Sequence, residues 1–146
     1  MLLAKDKSFS AAEVERLIAA IGLEEPLAFR DRAMIELAYS AGLRVSEWIA
    51  LKVADIALEE GVVRVFGKGS KERLVPMGRP AAELLRTYMD DGSRAGLAPS
   101  SWRSASDRSA VFLTNTGRRL NRQKAWDIVR SAGERAGITR ERSEEH

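Results

Sequence analysis

Apolar positions recur at helical spacing along most of the chain, and the period changes to that of strands only in the middle, over about residues 55–76. Near the start, Ser10-Ala11-Ala12-Glu13 has the form of a capping box, in which Ser10 and Glu13 satisfy each other's free backbone N–H groups. The helix that follows places Val14, Leu17, Ile18 and Ile21 on one face, and Gly22 ends it. Glu24-Glu25-Pro26 reads as a connector. A second helix is predicted over 28–40, with Phe29, Ala33, Met34, Leu37 and Ala38 as its apolar stripe and Gly42 as its stop. A short third helix is predicted over 45–51, with Trp48 and Ile49 apolar. Arg44 then falls at a joint between two packed helices, which gives its side chain a defined position.

Residues 55–58 read as a short strand and 59–61 as a turn. The β-rich run 62–66 can pair with 73–76 across a glycine-rich tip that carries Lys68, Lys71 and Arg73. Pro80 opens another amphipathic helix, with Ala81, Leu84, Leu85 and Tyr88 apolar and an end near Gly92. The stretch 93–109 is rich in Ser, Arg and Ala and reads as a long, mobile loop, in which Trp102 is either a packing anchor or a surface contact. Val111-Phe112-Leu113 is a short apolar run, and 114–117 is a turn. Asn121 caps a final helix over 122–136, with Ala125, Ile128, Val129 and Ala132 inward and Gly137 at its C′ position. Residues 139–146 read as a charged, frayed tail. The sum is an α+β fold, mainly α-helical with a small three-stranded antiparallel β-sheet, in one domain over 1–146.

Composition narrows the class. The chain has 146 residues, 45% hydrophobic and 31% charged, which suits a single globular domain with a real core. It has no cysteine, so disulfides and thiolate metal sites are excluded, and a cytoplasmic location is the natural expectation. No apolar run approaches the roughly 20 residues that span a bilayer, and the first residues are too polar for a signal peptide. The net charge of +3 is mild. Its distribution is more telling, because Arg118, Arg119, Arg122, Lys124, Arg130, Arg135, Arg140 and Arg142 crowd the last part. That asymmetry fits a polyanionic partner, and a solvated helix face explains it equally well.

Gly42-Leu43-Arg44-Val45-Ser46-Glu47 after a helix, then Gly67-Lys68-Gly69-Ser70-Lys71-Glu72-Arg73 at a hairpin tip, resembles the tyrosine recombinases, or phage integrase family, and among them the Xer-type site-specific recombinases. Arg30-Asp31-Arg32-Ala33-Met34 and the run from Gly61 to Gly69 add to the likeness, which covers about residues 9–138. The resemblance implies a DNA-binding protein of the nucleoid that acts on double-stranded DNA without metal or nucleotide cofactor. In that family a tyrosine hydroxyl attacks a phosphodiester and forms a 3′-phosphotyrosyl bond, and a 5′-hydroxyl later reverses the step.

Two residues then carry over as catalytic. Arg44 matches the first catalytic arginine, whose planar, permanently charged fork suits two phosphate oxygens. Lys68 matches the hairpin lysine, the general acid for the leaving 5′-oxygen, with flanking glycines that free the tip's dihedrals. Glu47 is a candidate to orient Arg44 through a charge-assisted hydrogen bond, or else ordinary helix polarity. Lys71 and Arg73 are candidate DNA-phosphate contacts or solvated charges, and Arg119 and Arg122 join the phosphate set.

The family's His-x-x-Arg box, its later Gly-His pair and its tyrosine nucleophile have no counterpart here. His146 is the only histidine and the last residue. The tyrosines, Tyr39 and Tyr88, both read as packing residues. The expectation is therefore a truncated tyrosine-recombinase catalytic-domain fold that grips DNA and does not cleave it alone. Apolar surface that later helices would cover predicts marginal stability or self-association. The competing readings are a non-catalytic DNA-binding module, an inactive integrase remnant, and a plain helical interaction domain.

Overall fold

The computed structural model describes residues 9–22, 27–90 and 93–138. Its helices are α1 (Ala11–Ala19), α2 (Ala28–Ser40), α3 (Val45–Ile49), α4 (Gly78–Asp90), α5 (Ala105–Ser109) and α6 (Arg122–Arg135). Its strands are β1 (Ile56–Ala57), β2 (Val62–Phe66) and β3 (Glu72–Pro76). Among the described residues no helix is long and apolar enough to cross a membrane. The predicted connector at 24–26 and the tail at 139–146 lie outside the described residues.

Local chemistry sets most helix ends. The Glu13 N–H donates to Ser10 Oγ at 3.1 Å and the Ser10 N–H to Glu13 Oε1 at 2.9 Å, completing the capping box of α1. This helix stops before Gly22, because the chain turns at Ala20 and sends Ile21 into the core. Gly42 ends α2 at φ +67°, with the Leu43 N–H bonded to the Ala38 carbonyl at 2.9 Å and the Gly42 N–H to Tyr39 at 3.3 Å. Gly137 repeats this at the end of α6, where the Ile138 N–H reaches the Gly133 carbonyl at 2.7 Å. Asn121 Oδ1 caps the start of α6 by accepting the Lys124 N–H at 2.8 Å.

Helix α2 is the hub. Ala28, Arg30, Ala33, Met34, Ile35, Leu37 and Ala38 are all buried, so the helix is covered on more sides than its predicted stripe requires. Helices α1, α3 and α4 pack on it, and α6 packs on α1 and α3. The inward face of α6 also takes Trp126, three positions before Val129, which the expected set leaves out.

The sheet has the order β1-β2-β3 and is antiparallel throughout. Val63 pairs with Val75 and Val65 with Arg73, and both valines of β2 are buried. The alternate positions face outward, leaving Phe66 48% and Leu74 64% exposed.

The predicted mobile loop over 93–109 is instead a tied segment containing a 3-10 turn, Ala95–Leu97, and helix α5. The Arg94 guanidinium donates to the carbonyls of Arg108, Ala110 and Val111 and lies 5.9 Å from the Trp102 ring centre. Trp102 is thus half-buried beside the arginine that holds the segment. Asp107 accepts the Arg119 N–H at 2.9 Å and pairs with Arg118 at 3.3 Å, which staples α5 to the turn before α6. The apolar run after α5 is fixed in the same way. Tyr88 Oη donates to the Val111 carbonyl at 2.8 Å, and Arg30, only 5% exposed, donates to the Leu113 carbonyl at 2.9 Å.

Two outcomes test this architecture. Gly42→Ala places a Cβ at positive φ and is expected to cost about 1–2 kcal/mol, read as a lower urea midpoint with an unchanged slope. Burial pushes the Tyr88 hydroxyl from 10.0 up to about 12. The folded chain therefore keeps a proton that the unfolded chain releases across that window, and stability falls as pH rises through it. Tyr88→Phe is expected to melt at a lower temperature near neutrality and to show a shallower decline than the wild-type chain above pH 10.

Candidate functional site

Arg44 is the N-cap residue of α3, in an extended conformation with φ −77° and ψ 158°. Its carbonyl accepts the N–H groups of Glu47 at 2.9 Å and Trp48 at 3.1 Å. Val45 and Trp48 are buried and anchor α3, while the Arg44 side chain points from an exposed residue. The glycine turn before Arg44 and the helix after it thus hold its backbone from both sides.

Glu47 closes the start of α3. Its Oε1 accepts the Arg44 N–H at 2.9 Å, the return bond that an acidic residue makes three positions after an N-cap. The same carboxylate takes both prongs of the Arg73 guanidinium, Nη1 to Oε2 at 3.1 Å and Nη2 to Oε1 at 3.3 Å. The hydrogen bond expected between Glu47 and Arg44 is made to the Arg44 main chain. The guanidinium that Glu47 engages is that of Arg73. The register explains the difference, because Arg73 lies opposite the buried Val65 and so faces the body of the protein. Burial pushes the Glu47 carboxyl up, but the Arg73 hydrogen bonds, the Arg44 N–H and the charges of both arginines outweigh it and hold the group below its usual value.

The hairpin tip abuts this pair. The Gly67 N–H bonds to the Lys71 carbonyl at 2.9 Å and the Ser70 N–H to the Gly67 carbonyl at 3.0 Å, so residues 67–71 form a tight turn. The left-handed positions are Gly69 at φ +72° and Ser70 at φ +60°. Gly67 serves differently from the freed dihedral expected of it. A Cβ there would stand 3.3 Å from Arg73 Nη1 and 3.7 Å from Glu47 Oε2, so glycine leaves room for the ion pair. Lys68 and Lys71 are exposed on the turn.

The structure therefore gathers Arg44, Glu47, Arg73 and the Lys68 turn at one junction. Arg119 and Arg122 are exposed elsewhere: Arg119 Nη1 donates to Ser106 Oγ at 3.3 Å, and Arg122 begins α6. Among the described contacts none joins either of them to the junction. Tyr88 is buried with its hydroxyl bonded to the Val111 carbonyl, and Tyr39 packs against the core. Among the described residues no group of three or more His, Cys, Asp or Glu could hold a metal ion. Chemically, the junction offers the exposed Arg44 guanidinium and the Lys68 and Lys71 ammonium groups to an anion, beside the Glu47–Arg73 pair.

Residues 7–146 match the model of the phage integrase family. The chain is 49% identical over 133 residues to the tyrosine recombinase XerD of Ralstonia nicotianae, a match covering 90% of this chain and 41% of that protein. It is 39% identical over 140 residues to XerD of Yersinia pestis, covering 96% of this chain and 45% of that protein. The chain thus spans less than half the length of these curated relatives. Among solved structures it is similar to the XerA recombinase, with a TM-score of 0.73 and 25% identity over 94% of this chain and 46% of the other. The lambda integrase catalytic core, at 18% identity and a TM-score of 0.62 over 94% of this chain and 74% of the other, shares the fold. The chain belongs to the phage integrase family, the tyrosine recombinases, and has the mainly helical fold of their catalytic domain with its three-stranded sheet.

Proposed function

We propose that this chain grips double-stranded DNA as part of a site-specific tyrosine recombinase, with one backbone phosphate seated between Arg44 and Lys68. The observation that carries the reading is the Glu47 carboxylate, which bonds the Arg44 backbone and the hairpin arginine at once. It keeps two basic stretches, far apart in sequence, on one small surface. Arg44 offers a fork to two non-bridging oxygens and stabilises the charge that builds at phosphorus during strand transfer. In this reading Lys68, on the adjoining turn, protonates a leaving 5′-oxygen. Lys71 on the turn, with Arg119 and Arg122 further off, adds phosphate contacts that set register without reading sequence. A protein acting on DNA in this way works in the cytoplasm, at the nucleoid.

Neither tyrosine of the chain suits the nucleophile's role. Tyr88 in particular is buried and hydrogen-bonded to the backbone. This observation favours binding without cleavage by these residues alone, and a covalent phosphotyrosyl–DNA adduct formed by this chain would overturn that part of the reading. Self-association, where it occurs, uses the outer sheet face around Phe66 and Leu74, both exposed.

The deciding measurement is fluorescence anisotropy of a labelled duplex across a salt series. Binding is expected to be weak and sequence-tolerant, with a dissociation constant on the order of 10⁻⁴–10⁻⁶ M at physiological salt. Lys68→Ala should reduce the log–log salt slope by about one, and Arg44→Ala combined with Lys68→Ala should weaken binding further. Absence of salt-sensitive binding by the wild-type chain at low salt would sink the proposal. In sedimentation velocity, Phe66→Ser with Leu74→Ser should shift any dimer towards monomer, and an unchanged distribution would remove that face from the contact.

A further inference from the structure

We propose that Arg73 is a positioning residue, a latch that sets the place of Lys68 relative to Arg44 by gripping Glu47, and that it is not itself a phosphate ligand. The inference rests on the DNA-binding reading and names a role within it. Four observations lead to it. First, both prongs of the guanidinium are engaged by one carboxylate whose side chain is only 12% exposed. The carboxylate takes two of the five guanidinium N–H groups and offsets the charge, which weakens what is left for a phosphate.

Second, the bond spans two elements, β3 and α3, whose partners are 26 residues apart in sequence. Third, the β3 side of this end of the hairpin has little apolar anchorage. Strand β3 is an edge strand in which Glu72, Arg73, Leu74 and Pro76 are exposed and only Val75 is half-buried. At the inward position opposite Val65, where an apolar residue would ordinarily pack, the chain places Arg73. On its β3 side the tip end is therefore fastened by charge, while Val65 buries on the β2 side. Fourth, Gly67 lies against the pair, and a Cβ there would come within 3.3 Å of Arg73 Nη1. The residue next to Lys68 is thus a neighbour of the latch. Because Glu47 also bonds the Arg44 N–H at 2.9 Å, one carboxylate sets the spacing of the two proposed phosphate ligands.

A double-mutant cycle between Arg73 and Lys68, read by duplex anisotropy over a salt series, tests the proposal. A latch acts through Lys68. Arg73→Gln should weaken binding in the wild-type background and have little further effect in the Lys68→Ala background, a coupling of at least about threefold. The double variant should keep the salt slope of Lys68→Ala. Arg73→Lys keeps the charge and loses the two-pronged grip, so it should also weaken binding, and only when Lys68 is present. Lysine is a competent phosphate ligand, so near-wild-type affinity in Arg73→Lys would overturn the proposal. Additive effects, with the slope of the double variant reduced by about two, would make Arg73 a direct phosphate contact and would overturn it as well. A general loss of folding strikes both backgrounds equally, which the cycle separates from latching. If Arg73→Gln does not fold, the Arg73→Lys cycle decides alone. Wild-type chain that shows no salt-sensitive binding removes the DNA-binding reading and the latch with it, whereas binding with an additive cycle removes the latch only.

Discussion

Helix α2 must be covered on nearly every side, and the arrangement of the other helices follows from that requirement. Its buried residues include Ala33, Met34, Ile35, Leu37 and Ala38, which leave it no broad polar face to offer water. Helices α1, α3 and α4 supply the cover, and α6 closes over α1 and α3. Enclosure also brings Arg30 inside, and a buried guanidinium without partners would cost several kcal/mol. It is held by Asp31 at 2.7 Å and by the Leu113 carbonyl at 2.9 Å, so the hub draws the 110–113 segment onto itself.

The candidate site grows from the end of the same helix. Gly42 turns the chain sharply enough that Arg44 emerges at the start of α3, while Leu43 and Val45 on either side stay buried. Hydrophobic burial thus sets the direction in which Arg44 leaves the body, within the tolerance of helix packing. The finer placement is electrostatic, through Glu47. This division suits the proposed contact with a polyanion. Apolar groups stay inside, and Glu47 and Arg73 brace each other at the surface. Such bracing would lower the ordering cost of the proposed binding.

Elements whose ends are set by near neighbours were legible in the sequence. The Ser10–Glu13 box, the Gly42 and Gly137 stops, the Asn121 cap and the three strands all depend on residues within a few positions of one another. Arg44 and the Lys68 turn were legible for a different reason, since two short motifs in order resembled a family. The connections that pass through long side chains were not legible. Arg94 reaches carbonyls 14 to 17 residues away, and nothing in a run of Ser, Arg and Ala marks that segment as tied. Arg73 reaches Glu47 across 26 residues, and only the pairing register of β3 turns it inward. Composition describes what a residue can donate, and long-range geometry decides what receives it.

The 110–113 segment carries one more consequence. In an ordinary sheet, a strand's carbonyls are met by another main chain, which every residue type supplies, so the partner sequence is free to drift. Here the Val111 and Leu113 carbonyls are met by Tyr88, Arg94 and Arg30 side chains. Backbone pairing has become dependent on residue identity. Change at any of these three positions removes a bond that no neighbouring main chain replaces, so they are coupled through the segment although no two share an element.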